Sequence, residues 1–196
     1  MIAGLVLAAG ESSRMGKDKA LLRYQGRTFL ETILQTLRDA GVERVVVVLG
    51  HHAEEIQRAL NLEDVQVVIN RDYRRGQTSS LQEGLKALVD ADIEAVVFCL
   101  VDHPAVPAEV IRQLIAAFRE SGAPVVIPTY EGRRGHPVVI GRALFEELSA
   151  LGPGDAANAV IRKYRARTHF LPVGDRAILL DVDDPKTYRQ LENAQR

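Results

Sequence analysis

The chain is short of several residues that mark particular function classes. It has one cysteine, Cys99, and no tryptophan. A single cysteine excludes an internal disulfide framework, and a reducing, cytoplasmic setting is the expectation. Cys99 lies inside the apolar run "AVVFCLV" and reads as a buried, inert thiol. Its five histidines (51, 52, 103, 136 and 169) show no H-E-x-x-H spacing, so no zinc site is expected. Charge of one sign is lacking too: the net charge is −1, which gives no basic field and argues against nucleic acid as a partner. No apolar run approaches the ~18 residues of a membrane span, so no membrane partner is expected. The opening "MIAGLVLAAG" has neither a basic region nor a cleavage-site pattern, and reads as a first strand. There is no G-x-S-x-G, which disfavours an α/β-hydrolase.

What is present is an alternation. Near-continuous Val/Ile/Leu runs at 2–8, 44–50, 65–70, 95–101 and 124–129 read as strands covered on both faces, as in a parallel sheet. Amphipathic stretches lie between them. One begins at Thr28 with Glu31 three residues on, a capping box, and stops at Gly41. Others cover 52–60, 78–90 and 107–122; the third opens with Thr78, Ser79 and Ser80 as candidate N-caps. After residue 129 come expected strands at 136–142, 169–173 and 177–183, and helices near 143–150, 155–164 and 184–195. The pattern predicts an α/β fold: one doubly wound, mostly parallel sheet, Rossmann-like, with helices on both faces and a small added β lobe. The 196 residues form one expected domain, 1–196.

In such sheets ligands bind beyond the carboxyl ends of the strands. After the first strand comes "AAGESSRMGKDK", where small residues allow close backbone approach and basic residues suit a polyphosphate. The Walker spacing fails, because five residues separate Gly10 from Gly16 and Asp18 follows Lys17; the G-x-G-x-x-G pattern fails at Ser12. After the third strand, Arg71, Arg74 and Arg75 precede Gly76 and a serine-rich helix start, which also fits a plain solvated loop. After the fourth comes "LVDHP". Asp102 there is a candidate ligand for a hard cation, or a helix cap or ion-pair partner; His103 reads as structural. "GRRGHPVVIGR" carries His136 in what is otherwise a charged hairpin. In "LLDVDDP", Asp184 is an N-cap before Pro185, and either Asp181 or Asp183 is placed to share a cation with Asp102. A phosphate-cradling loop, basic residues and separated carboxylates suit metal-assisted phosphoryl or nucleotidyl transfer.

"LAAGESSRMGKDKALL" resembles the L-A-A-G-x-S-x-R-M-G-x-x-K signature of the molybdopterin nucleotidyltransferases, closest to the molybdenum cofactor cytidylyltransferases. "GQTSSL", "LVDHP", "GHPV" and "LLDVDDP" follow in the same order, so the resemblance runs along the whole chain. It implies transfer of CMP from CTP to a molybdopterin-type acceptor, with release of pyrophosphate and dependence on Mg²⁺, or Mn²⁺ in its place. Leu7, Ala8, Ala9 and Gly10 would contact the nucleotide, and Asn70, Ser79 and Ser80 would line its cleft. Arg14 and Lys19 would hold the phosphates; Lys17 falls at a variable place. Asp102 would be catalytic as a metal ligand, with Asp181 as the second carboxylate, and His136 would face the acceptor. A molybdenum hydroxylase or dehydrogenase would receive the product. Ala9 points to CTP, since the guanine-using branch usually has "LAGG". The alternatives are a GTP-using molybdopterin guanylyltransferase, a nucleotidyltransferase for a sugar or alcohol phosphate, a GT-A-type glycosyltransferase with "DVD" as its D-x-D, and a non-catalytic cofactor-delivery chaperone.

Overall fold

The computed structural model describes residues 1–89 and 92–193. Its elements run β1 (Ile2–Ala8), β2 (Arg23–Tyr24), β3 (Arg27–Thr28), α1 (Phe29–Asp39), β4 (Val45–Leu49), α2 (Ala53–Ala59), β5 (Gln66–Ile69), α3 (Gln77–Lys86), β6 (Ala95–Leu100), α4 (Ala108–Ser121), β7 (Val125–Tyr130), β8 (Arg133–Arg134), β9 (Val138–Gly141), α5 (Phe145–Ser149), α6 (Ala157–Lys163), β10 (Thr168–Pro172) and α7 (Pro185–Asn193).

The main sheet is ordered β10-β7-β9-β6-β1-β4-β5, with β8 paired to β7. The β1, β4, β5 and β6 strands are mutually parallel, as are β7 and β10; β9 runs antiparallel between β6 and β7. Each central strand feeds both faces. Along β1, Ala3, Leu5 and Leu7 join one core cluster with Leu81 and Leu85 of α3, while Val6 and Ala8 join another with residues of α1, α2 and α4. That two-sided burial is why these strands read as continuous apolar runs rather than alternating ones.

The α1 capping box forms as expected: Glu31 N donates to Thr28 Oγ1 at 3.2 Å, and Thr28 N donates to a Glu31 carboxylate oxygen at 2.8 Å. Gly41 follows that helix at φ +82°, and Gly122 closes α4 at φ +59°, both left-handed positions that favour glycine. The start of α3 differs from expectation. Its N-cap is Gly76 at φ +95°, so Thr78, Ser79 and Ser80 lie inside the first turn rather than capping it. Asp90, the end of that expected helix, and residues 194 and 195 of the last one lie outside the described residues.

The chain after residue 129 gives its strands to the sheet itself: β9 inserts between β6 and β7, and β10 forms an edge. The expected strand at 177–183 is absent. Residues 176–179 form a 3₁₀ turn capped by the Asp175 side chain, and the following segment docks by one bond, Val182 N to Asp102 O at 2.9 Å. Val182 is fully buried with Leu22, Phe29 and Leu191, which anchors the tail across the mouth of the sheet. Among the described residues no helix is long and apolar enough to cross a membrane.

Candidate active site

The strand order reverses direction on either side of β1, since its successors β4 and β5 lie to one side and β6 to the other. A crevice opens there beyond the carboxyl ends, the location where open α/β sheets bind ligands. Its volume is about 290 Å³, and residues 7–10, 12–14, 18–20 and 100–102 contribute to its walls together with Tyr73, Gly76, Gln77, Ser80 and Asp183. The sequence-predicted Leu7, Ala8, Ala9, Gly10, Arg14, Lys19, Ser80 and Asp102 therefore share one site.

The loop after β1 is held by its neighbours. Val101 N donates to Leu7 O and His51 N donates to Ala9 O, each at 3.1 Å. Gly50 makes that approach possible: a Cβ there would lie 2.7 Å from Ala9 O and from Tyr73 Cβ. Farther on, Lys19 N donates to Ser12 Oγ at 3.1 Å, which folds the loop back and sets the lysine over the crevice. Lys17 points away, exposed, beside Met15 and Leu21.

At the crevice floor Lys19 Nζ bridges two carboxylates. It donates to Asp102 Oδ2 at 3.1 Å and to Asp183 Oδ1. Arg14 donates to the other Asp183 oxygen at 2.9 Å. The Lys19 hydrogen bond, aided by Arg14, holds the Asp183 carboxyl below the ordinary aspartate range against the opposing effect of burial. Asp181, the expected second carboxylate, is not part of the Lys19 ion-pair cluster. It is exposed and makes no hydrogen bond or ion pair among the described residues, whereas Asp183 is turned inward. Val182, buried between them, docks this irregular segment on Asp102 O, and Asp181 acts electrostatically on His103 and His136. The D-x-D spacing pointed to the pair, but the choice within it depended on tertiary packing.

Asp102 Oδ1 is buried and has no hydrogen-bond partner among the described residues; His103 Nε2 stands 3.7 Å from it. An orphaned carboxylate oxygen beside a second carboxylate is a donor set that fits a hard divalent cation.

Asn70 and Ser79 sit behind the crevice wall rather than on it. Asn70 is 2% exposed; its amide donates to Ser79 Oγ and Ser80 Oγ, each at 2.9 Å, and its carbonyl accepts from Asp72 N at 2.9 Å. Ser79 Oγ in turn donates to Gly76 O at 2.7 Å. This network fixes the turn carrying Tyr73 and Gly76.

His136 belongs to an adjoining cleft of about 750 Å³, which shares Gly76 and Gln77 with the crevice. Arg75, Arg134 and Arg162 contribute to this cleft, and Phe98, Ile127 and Ile140 give it an apolar wall. The His136 ring stands 5.2 Å from that of His103, and neither Nδ1 has a hydrogen-bond partner among the described residues. Burial pushes the His136 imidazole down to about 4, and burial lowers His103 as well, so both rings are neutral near pH 7. The Cys99 thiol is buried and pushed up to about 12 by desolvation, in keeping with an inert role.

The MobA-like NTP transferase domain profile matches residues 4–169. Among curated relatives, nicotine blue oxidoreductase of Paenarthrobacter nicotinovorans is 31% identical over 93% of this chain and 92% of its own. A probable molybdenum cofactor guanylyltransferase of Opitutus terrae is 32% identical over 84% of this chain and 72% of its own; the molybdenum cofactor cytidylyltransferase of Escherichia coli is 24% identical over 94% and 92%. Among solved structures, the Mycobacterium tuberculosis protein Rv0371c in complex with manganese aligns at TM-score 0.83 with 30% identity, covering 98% of each chain. The loop after β1, the inward Lys19 and Asp102 thus fall within the matched region while Asp183 lies beyond it, and the chain belongs to the MobA-like NTP transferase family, whose members include molybdenum cofactor nucleotidyltransferases.

Proposed function

We propose that this protein transfers CMP from CTP to a molybdopterin-type acceptor carrying molybdenum, releasing pyrophosphate, with the whole chain 1–196 acting as one catalytic domain. The observation that carries the reading is the Lys19–Asp102–Asp183 cluster on the floor of a crevice that opens into a second, larger cleft. The smaller space suits a nucleotide, and the cleft of about 750 Å³ suits a bulky polycyclic acceptor with an anionic end near Arg75 and Arg134.

In the transfer, an acceptor phosphate oxygen forms a bond to the α-phosphorus of CTP while the bond to the β-phosphate oxygen breaks. Pyrophosphate leaves with that electron pair. The acceptor is already an anion, so no strong general base is required. Lys19 and Arg14 exchange their carboxylate partners for phosphate oxygens and offset the charge on the leaving group. The backbone of residues 7–10 seats the base and ribose, and Ala9 in "LAAG" supports cytosine over guanine. Asp102 and Asp183 would hold Mg²⁺ or Mn²⁺, which supplies charge neutralisation and alignment of the phosphates when bound. Rv0371c, a relative of matching fold crystallised with manganese, supports a divalent ion of this kind. The cofactor product would pass to a molybdenum hydroxylase or dehydrogenase.

The test is a substrate panel with α-labelled CTP, GTP and UTP, each offered a molybdopterin-type acceptor and a sugar phosphate. Labelled product from CTP and the molybdopterin acceptor alone supports the proposal. Preference for GTP makes the protein a guanylyltransferase; turnover of the sugar phosphate alone replaces the acceptor. The oxidoreductase name of one 31% identical relative favours a second reading, and an NADH or NADPH oxidation assay on the same preparation tests it.

A further inference from the structure

Asp18, His51 and His52 come together outside the carboxylate cluster, with one potential ligand atom from each lying within 4.8 Å of the other two. Asp18 ends the loop that precedes Lys19, and the two histidines form the turn between β4 and α2. His52 Nδ1 lies 2.8 Å from Asp18 Oδ2 and 3.9 Å from a carboxylate oxygen of Glu55. The two imidazole rings lie with centroids 3.7 Å apart and are tilted 31° to each other. Nothing in the sequence spacing announced this group, because adjacent histidines reach one point only when the backbone turns between them. That turn is present: His52 sits at φ +49°, a left-handed conformation that a side chain rarely adopts without cause.

An Asp18–His52 ion pair accounts for two of the three groups and leaves His51 without a reason to join them. The His51 surroundings supply one. Its Nδ1 is 3.2 Å from the Tyr73 hydroxyl, the kind of outer hydrogen bond that fixes the tautomer and orientation of a metal-ligating histidine. The Asp18 carboxylate is 9% exposed and the His52 ring 52% exposed, so the group is anchored on one side and open to solvent on the other.

We propose that Asp18, His51 and His52 form a second metal site, for a transition ion such as Zn²⁺ or Co²⁺. Two imidazole nitrogens and one carboxylate are the donors those ions prefer, whereas Mg²⁺ favours oxygen alone. Three protein ligands leave a coordination position for water. Because Asp18 also lines the crevice and adjoins Lys19, the bound ion fastens the loop 9–19 to the β4–α2 turn and holds Lys19 in register. The site is separate from Asp102 and Asp183, and its existence does not depend on which nucleotide or acceptor is used.

The test uses the full chain, stripped of metal with a chelator and titrated with Co²⁺ alone, read by visible absorption and by calorimetry. Wild type and Asp102→Asn are each expected to bind one equivalent that gives a histidine-type cobalt spectrum, while any Co²⁺ held by Asp102 and Asp183 in the wild type lacks that spectrum. His52→Gly suits the left-handed backbone, so it removes the ligand without straining the fold; it is expected to lose the spectrum, as is Asp18→Asn. Tyr73→Phe is expected to weaken binding about 10–100-fold by freeing the His51 ring. Circular dichroism of the metal-free variants checks that each is folded. Absence of saturable Co²⁺ binding in the wild type overturns the proposal. So does a His52→Gly titration equal to the wild type, or loss of the spectrum in Asp102→Asn.

Discussion

Replacing Asn70 by alanine removes the side chain that holds the turn between β5 and α3. Three hydrogen bonds go with it: two donated to Ser79 and Ser80, and one accepted from Asp72 N. Each is worth about 1 kcal/mol, and because Asn70 is 2% exposed, water does not fully replace them. The sum is about 3 kcal/mol of stability. For a domain of this size, 1 kcal/mol moves Tm by about 2–4 °C, so a fall of about 6–12 °C is expected. The loss is local as well as global, since the same turn presents Tyr73, Gly76 and Ser80 to the crevice. Nucleotide KM is expected to rise more than kcat falls, because Asn70 touches no reacting group. Scanning calorimetry and steady-state kinetics on one preparation read both effects. A Tm change under about 2 °C with an unchanged KM would refute the reasoning that this network builds the wall.

Four further outcomes follow from the geometry. Asp183→Asn is expected to lower nucleotidyl transfer by about 10²–10³-fold, while Asp181→Asn leaves kcat within about threefold; equal losses would show that both aspartates serve the site. Gly50→Ala pushes a methyl group toward Ala9 O and the Tyr73 ring, so destabilisation of about 1–3 kcal/mol with a raised nucleotide KM is expected from denaturant titration and kinetics. His136 is neutral in the folded protein, with its imidazole pushed down to about 4 by burial, and ionises near 6.5 when unfolded. The unfolded chain therefore binds the extra proton first on acidification: the His136 contribution is complete above about pH 6.5 and is lost as pH falls toward about 4. His136→Leu should flatten that part of a Tm-against-pH curve. Asp183 acts in the same sense at lower pH: its folded carboxyl is depressed, so its contribution is present above the unfolded aspartate range and disappears as pH falls through the folded value. Lys19→Ala should remove that dependence and shift the last acid transition upward.

The legible parts of the fold are those decided by local chemistry or by uniform burial. The Val/Ile runs placed β1, β4 and β6 because strands covered on both faces need apolar residues throughout. Thr28 with Glu31, Gly41 and Gly122 marked helix ends through side-chain capping and left-handed backbone. The parts that could not be read depend on distant partners. "LLDVD" has the composition of a strand, but its backbone satisfies itself through a 3₁₀ turn and one bond to Asp102 O. The short "HPVVIGR" run gave no hint that it would enter the sheet antiparallel. In the site, the loop after β1 was evident from glycine, serine and basic residues, whereas the pairing of Asp183 with Lys19 and Arg14 depends on distant contacts that spacing does not reveal. Asn70 and Ser79 were assigned to the cleft by the resemblance, and their burial gives them the work of support. Asp18, His51 and His52 lacked any ligand spacing, since they meet only through the left-handed turn at His52.

The measurement that tests the central claim most directly is pyrophosphate release from CTP with a molybdopterin-type acceptor, comparing wild type with Lys19→Ala and Lys17→Ala. The account predicts acceptor-dependent release by the wild type, a loss of about 10²–10³-fold in Lys19→Ala, and near-normal turnover in the exposed Lys17→Ala. Equal activity of the two lysine variants, or no release with any nucleotide and acceptor, would contradict it.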